Sequence, residues 1–334
     1  MDSRLEALAE LIAAEHSSQG PIAVGFSGGA DSTALLLAAK MAGFDLEAWH
    51  IDHGWHPDSA RLAEQLAARC RSWGIPFLCR RVPRTQGRNR EAVARRLRYA
   101  AFAELARERN RFRLWLAHHA DDQAETVALR LLMGAGPEGI AGMRKVRHWQ
   151  GLCIERPLLG LRKKALQAAL RQAGIDWWED PTNEDLSLRR NWVRKRLFPA
   201  MAACGIDPVA LFLRWGRAAA RVHEAIASEV RAISLRRMGP QAVAVDWEAW
   251  QQASAVVRAA LLKAMIRALF GEGATPGRRH ILLAERWTAQ GGRGGLDLSR
   301  SRLERCGKEL RLVARSSRFH DETTIVTQTR KAAS

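Results

Sequence analysis

Ile22-Ala23-Val24-Gly25-Phe26-Ser27-Gly28-Gly29-Ala30-Asp31-Ser32 is the stretch whose reading decides the fold. Its first five residues form a short apolar run suited to a buried strand. The segment that follows, Asp31–Ala42, places apolar residues at helical spacing. Between them, glycines let the backbone turn tightly and approach a phosphate, and the helix start offers unpaired N–H groups and a positive dipole end. Ser27 and Ser32 add hydroxyl donors. An ordinary strand-to-helix turn capped by serine or aspartate would look similar, but the place directly after the first strand favours the phosphate reading. No lysine follows the glycines and no G-x-x-x-x-G-K-[ST] string occurs anywhere, which disfavours kinase-like chemistry at a terminal phosphate. An aspartate among phosphate-binding amides would repel its ligand unless a divalent cation lay between them, so Asp31 is most simply a Mg2+ contact.

Outward from this stretch, short apolar runs alternate with helical patterns. Strands are expected at Ile22–Phe26, Leu46–Ile51, Pro76–Val82 and Arg113–His118, and helices near Asp31–Ala42, Asp58–Trp73, Arg90–Arg109 and Asp121–Met133. Such alternation predicts βαβ units in a parallel, Rossmann-like α/β sheet, with ligands at the carboxyl edge of the strands. His50-Ile51-Asp52-His53-Gly54 ends the second expected strand, and His118-His119-Ala120-Asp121-Asp122-Gln123-Ala124-Glu125-Thr126 ends the fourth. Asp122 and Glu125 share a helix face. A solvated acidic first turn would explain them, but neither has Lys or Arg three or four residues on. Like charges without local cations suggest a site for a cationic ligand or a metal. His53 and His119 read equally well as satisfied strand-end histidines and as functional ones. Arginine clusters at 90–98 and 189–196 are expected to be solvated or to bind RNA phosphates, with one member of each entering the site.

The chain has 334 residues, with 53 Lys+Arg against 35 Asp+Glu, a net charge of +18 that attracts polyanions and makes nucleic acid or an anionic membrane the partner expected from charge alone. The length predicts two domains: 1–205 for nucleotide binding and catalysis, and 206–315, smaller and mainly helical with a short β hairpin, contacting nucleic acid. Residues 316–334 hold too little apolar material to fold and are expected to be a disordered tail. After residue 134, Arg147–Pro157 is expected as a strand, Leu161–Ala173 as a helix and Glu179–Asn183 as a turn. Helices are then expected from Asp207-Pro208 to about Arg237, at Trp247–Phe270 and at Pro276–Gln290. The hairpin is expected to join Gly295–Asp297 to Leu310–Val313. Cys70, Cys79, Cys153, Cys204 and Cys306 are odd in number and widely spaced, poor for a disulfide framework, a zinc site or a redox pair. No apolar run reaches membrane-span length. No membrane partner and a cytoplasmic location are therefore expected.

The S-G-G-x-D-S loop resembles that of the PP-loop, or N-type ATP pyrophosphatase, superfamily. Taken in order, Ser27–Ser32, His50–Ser59, Arg90–Tyr99, His118–Met143 and Glu179–Arg194 resemble the tRNA(Ile)-lysidine synthetases, a family of PP-loop ligases. The resemblance implies that the loop Ser27, Gly28, Gly29, Ala30, Asp31 and Ser32, with Asp52, His53 and His118, binds ATP. It implies that Asp122 and Glu125 bind the ammonium of free L-lysine and help remove its proton. By the same resemblance Arg98 and Arg190 steady the nucleotide phosphate or developing negative charge, and Asp31 and the loop amides hold Mg2+-pyrophosphate. The substrate implied is the wobble cytidine of CAU-anticodon tRNA(Ile), adenylated first and then attacked by lysine, with AMP and pyrophosphate released. Trp177, Trp178 and Trp192 are candidates for stacking on an unpaired base, although core packing is the better reading of any one. Arg278, Arg279 and Arg286 are candidates for the tRNA body. Met133 departs from the family pattern, in which a basic residue is common there. Longer relatives also carry a further C-terminal domain. Two other readings stay open: a PP-loop tRNA thiolase, for which no cysteine pair is suitably spaced, and a non-catalytic basic RNA-binding protein. The oligomeric state, a homodimer included, is open too.

Overall fold

The computed structural model describes residues 3–16, 20–54, 59–84, 90–179, 185, 188–271 and 273–315, and of residues 90 and 91 only the backbone. The turn expected at Glu179–Asn183 falls outside these beyond Glu179, and so does the tail at 316–334. Internal contacts divide the chain into two compact units, Met1–Ala220 and Arg221–Ser334.

In the first unit the order is α1 (Ser3–Glu15), β1 (Ile22–Gly25), α2 (Ala30–Met41), β2 (Leu46–Asp52), α3 (Ser59–Ser72), β3 (Phe77–Arg81), α4 (Arg90–Arg109) and β4 (Arg113–Trp115). There follow α5 (Ala120–Leu132), α6 (Pro137–Ile140), β5 (Val146–Trp149), β6 (Leu152–Glu155), α7 (Lys163–Gln172), α8 (Arg189–Trp192), a π-helical turn (Val193–Leu197) and α9 (Phe198–Ala203). The sheet runs β3-β2-β1-β4-β6-β5, parallel except for the edge strand β5. Its period-2 alternation separates two cores. Ile22, Val24, Leu46, Ala48 and Trp115 pack under α1, α2 and α7. Ala23, Trp49, Ile51, Leu114, Leu116 and Ile154 pack against Tyr99, Phe102 and Leu105 of α4.

The strand expected over Arg147–Pro157 is instead the hairpin β5–β6. Gln150 and Gly151 turn it at φ 46° and 84°, the left-handed pair that a tight two-residue hairpin requires. The first part of α10 (Pro208–Ala232) belongs to this unit. Its Val209 joins Ala120, Ala124, Ala128, Val193 and Phe198 in a third small core, and Phe212 stacks on Phe198 at 5.6 Å. The contact division therefore falls inside α10, after Ala220, whereas composition suggested 205.

The second unit contains the rest of α10, β7 (Arg236–Arg237), β8 (Ala242–Asp246), α11 (Trp247–Gln252), α12 (Ala255–Phe270), α13 (Arg278–Ala289), β9 (Gly295–Leu298), β10 (Ser301–Cys306) and β11 (Glu309–Ala314). Its antiparallel sheet runs β7-β8-β11-β10-β9. The two segments expected as a hairpin lie in this sheet with β10 between them. The single helix expected over Trp247–Phe270 breaks at Ala253, where the Ser254 side chain accepts from Val257 N and starts α12. Val243, Val245, Leu303, Leu310 and Leu312 face Trp247, Trp250, Leu261, Met265 and Trp287. Three of the tryptophans thus serve this core, and the Trp250 indole donates to Thr288 Oγ1 at 3.0 Å. Among the described residues no single helix is long and apolar enough to cross a membrane.

Candidate functional site

Because β1, β2, β4 and β6 run parallel, the segments leaving them gather at one edge. The loop after β1 holds its shape through serine hydroxyls: Ser27 N donates to Ser32 Oγ at 3.2 Å, and Ser32 Oγ donates to Gly29 O at 3.1 Å. Gly28 sits at φ 80°, and a Cβ there would lie 2.5 Å from Leu66 Cδ2, so this position needs glycine for backbone and for space. Gly29 caps α2 without any side-chain cap, which leaves the first amides of the helix open to an anion. Trp178 N donates to Gly28 O at 2.9 Å, bringing that half-buried tryptophan beside the loop.

Asp31 stands in the first turn of α2. Its Oδ2 lies 3.4 Å from His119 Nε2, while its Oδ1 is buried without a hydrogen-bond partner. An orphaned carboxylate oxygen suits a hard divalent cation. Among the described residues no group of three or more His, Cys, Asp or Glu could hold a metal. A cation on Asp31 would therefore be completed by ligand oxygens and water, the usual pattern for Mg2+.

His119 is 1% exposed and is the hinge of the site. Its Nδ1 accepts from Asp122 N at 3.3 Å, and Asp122 Oδ2 accepts from His119 N at 3.1 Å, a reciprocal cap of α5. The occupied Nδ1 leaves the proton on Nε2, which points at Asp31 Oδ2 and, at 3.3 Å, Asp122 Oδ2. Burial pulls its pKa down, but Asp31, Asp122 and Asp121 outweigh burial and raise it. Of the two strand-end histidines left undecided by sequence, this one ties the phosphate loop to the acidic pair.

The acidic pair itself corrects the sequence reading. Asp122 and Glu125 have no local cations but are paired with distant ones. Arg190 Nε donates to Glu125 Oε2 at 2.6 Å and its Nη2 to Asp122 Oδ1 at 2.8 Å; Arg194 donates to both Glu125 oxygens at 2.7 and 3.0 Å. Burial raises the Glu125 pKa, yet the two guanidiniums bring the net value below the usual range. Glu125 is 2% exposed, so a ligand could reach it only by displacing an arginine. Asp122 is the more accessible, and its oxygens are shared between Arg190 and His119.

The remaining expected residues are placed as follows. Asp52, at the end of β2, turns into its own loop: its oxygens accept from Gly54 N at 2.7 Å and Ser59 Oγ at 3.3 Å. It shapes that loop rather than offering a free oxygen to a ligand. His53 is pushed down to about 4 by burial and by the neighbouring Arg98 and His50. His118 is held neutral by burial and by four arginines, 156, 190, 98 and 95. Arg98 lies over the Tyr99 ring at 6.0 Å and has no carboxylate partner among the described residues. Trp192 is 45% exposed, and Met133 is 65% exposed with its sulfur 3.9 Å from Arg189 Nη1. Arg156, at the tip of β6, was not singled out by sequence; its one signal was its place at the end of an apolar run.

A PP-loop domain family model matches residues 2–201. The chain is similar to the tRNA(Ile)-lysidine synthase of Chlamydia felis, 42% identical over 176 residues that cover 52% of this chain and 55% of that one. It is also similar to the enzyme of that name from Polaromonas naphthalenivorans, 39% identical over 230 residues covering 67% and 69%. The chain thus spans about half the length of chlamydial relatives. Among solved structures, a U34-tRNA thiolase from Methanococcus maripaludis with its [4Fe-4S] cluster matches at TM-score 0.53 and 14% identity. That match covers 64% of this chain and 78% of that one, a likeness of fold alone.

Proposed function

As the chain belongs to the PP-loop family, among the tRNA(Ile)-lysidine synthases, we propose that it uses ATP to join free L-lysine to the wobble cytidine of CAU-anticodon tRNA(Ile). The observation that carries this reading is the bridge Asp31–His119–Asp122, 3.4 and 3.3 Å, which sets a phosphate-binding loop beside an acidic pair. Pure electrostatic RNA binding gains nothing from acid at that place.

In this reading the open amides of α2, with Ser27 and Ser32, receive the pyrophosphate end of ATP as the cytidine C2 oxygen attacks the α-phosphate. Asp31 would hold Mg2+, which supplies neutralising charge at the departing pyrophosphate. His119 Nε2 keeps Asp31 and Asp122 in fixed register. Asp122 receives the lysine ammonium, and Glu125 holds Arg190 and Arg194 in place beside it. Deprotonation of the ammonium toward Asp122 frees the amine to displace AMP from the activated carbon. Arg98 and His118 line the nucleotide side. Asp52 and His53 border it.

The region 206–315, with Arg278, Arg279 and Arg286 on α13, is proposed to grip the tRNA body. A tRNA substrate also fits a cytoplasmic location. The thiolase alternative is less well supported: burial pushes the Cys70 thiol up to about 12 and raises those of Cys79 and Cys153, against what a reactive sulfur carrier needs. The test is nucleotide release from ATP in the presence of Mg2+ and CAU-anticodon tRNA. AMP and pyrophosphate, with turnover dependent on lysine, are expected; ADP would overturn the proposal.

A further inference from the structure

Three buried carboxylates of the first unit are each neutralised. Glu47 pairs with Arg109 and Arg111 at 2.8 and 3.2 Å, Glu155 with Arg113 and His16 at 2.8 and 3.1 Å, and Glu125 with Arg190 and Arg194. The buried cation Arg156 has no such partner. It is 2% exposed; its Nη1 donates to Arg144 O at 2.7 Å, and its Nε is buried with nothing to donate to. The buried Tyr99 hydroxyl lies beside it. Arg95 and Arg98 stand over the same Tyr99 ring at 5.5 and 6.0 Å. His118, just past β4, buries an Nδ1 that is likewise unpartnered. Among the described residues no Asp or Glu pairs with Arg156, Tyr99, Arg95, Arg98 or His118.

A fully buried guanidinium without a counter-charge is costly, and the half-buried Arg98 adds a like charge beside it. We propose that Arg156, with Arg95, Arg98, His118 and the Tyr99 hydroxyl, forms a second oxyanion subsite at the tips of β4 and β6, taking a carboxylate or phosphate group of a substrate. Its Arg156 stands two strands from the loop after β1, about 10 Å at the usual spacing, so the subsite extends beyond the nucleotide side that Arg98 and His118 line. Burial and the surrounding guanidiniums lower the pKa values of Arg156, Arg98 and His118, a penalty that a bound anion would relieve. Arg190 acts on this cluster and also bonds Asp122 and Glu125. A free amino acid with a side-chain ammonium carries matching opposite charges at its two ends, and its carboxylate is one occupant. A phosphate of the nucleotide or tRNA is the other. The choice of these substrates rests on the proposed function; the oxyanion site itself does not.

Two measurements test it. Crystals of the full chain soaked in selenate are expected to show an anomalous peak within hydrogen-bond distance of Arg156 and His118. Arg156→Gln should abolish that peak and leave any peak at Ser27–Ser32. No peak in the wild type, or one unchanged in the variant, overturns the proposal. A wild type that takes selenate there but never modifies tRNA refutes the proposed function and leaves the subsite standing. Calorimetric titration then identifies the occupant. A tenfold or greater weakening for L-lysine, with 1,5-diaminopentane unaffected, assigns the carboxylate. The same weakening for a non-hydrolysable ATP analogue assigns a phosphate. Unchanged affinity for both overturns the proposal. Exposed Arg95, as Arg95→Gln, gives the same readout should Arg156→Gln fail to fold, and Arg156→Lys should recover part of the affinity.

Discussion

Replacing Glu125 by Gln keeps the shape of the side chain and removes its charge. The carboxylate is 2% exposed and accepts three charged hydrogen bonds, at 2.6, 2.7 and 3.0 Å. Breaking a buried pair by removing one partner costs about 3–5 kcal/mol. Here the arginine side chains are 33% and 29% exposed and Asp122 still faces both, so water and the second carboxylate absorb part of it. The net cost is about 2–3 kcal/mol, or a Tm lower by about 4–12 °C for a unit of this size. The pH dependence supplies the sign. The folded-state pKa of Glu125 is depressed, so its contribution is fully present above the unfolded value, about 4.3, and is lost as pH falls through the lower folded value. Chemical unfolding of Glu125→Gln and wild type at several pH values should give a gap that is widest near neutrality and closes with acid. Equal stability at pH 7, or a gap that does not change with acid, would refute the view that Glu125 is the counter-charge holding Arg190 and Arg194.

Gly28→Ala forces a side chain onto φ 80° and against Leu66 at 2.5 Å, so a loss of about 1–3 kcal/mol is expected in a denaturant midpoint; a neutral result would show that the loop relaxes freely. His119→Ala should lose about 1 kcal/mol with its cap and about 100-fold in turnover with its Nε2 donor. His119→Asn restores a cap without reaching Asp31, so recovery of stability without recovery of turnover is expected; recovery of both would reduce His119 to a cap. Asp31→Ala should abolish pyrophosphate release while a filter-binding assay shows tRNA affinity within a few-fold of wild type, and a large loss of affinity would mark Asp31 as structural.

The parts of the molecule legible in the sequence are those written locally. Ile22–Gly25 is an apolar run and Leu46–Asp52, although it holds Glu47, His50 and Asp52, is buried on both faces, and the phosphate loop joins strand to helix within six residues. Antiparallel strands were harder to read. In β10, Arg302 and Glu304 alternate with buried Ser301 and Leu303, a pattern that six mostly polar residues carry weakly. The pairing of the acidic residues was not legible at all, because Arg190 and Arg194 stand 65 and 69 positions from Glu125. Only the fold that returns α8 to α5 makes them neighbours. Reading Asp122 and Glu125 as unpaired followed from looking one helical turn ahead, where tertiary partners are invisible. His119 was undecidable for the same reason, since Asp31 lies on another helix.

Mass analysis of the wobble nucleoside tests the central claim most directly. After incubation of the chain with ATP, Mg2+, L-lysine and CAU-anticodon tRNA(Ile), a cytidine heavier by lysine less one water is expected. Unaltered cytidine, or a nucleoside that has gained sulfur, would contradict it.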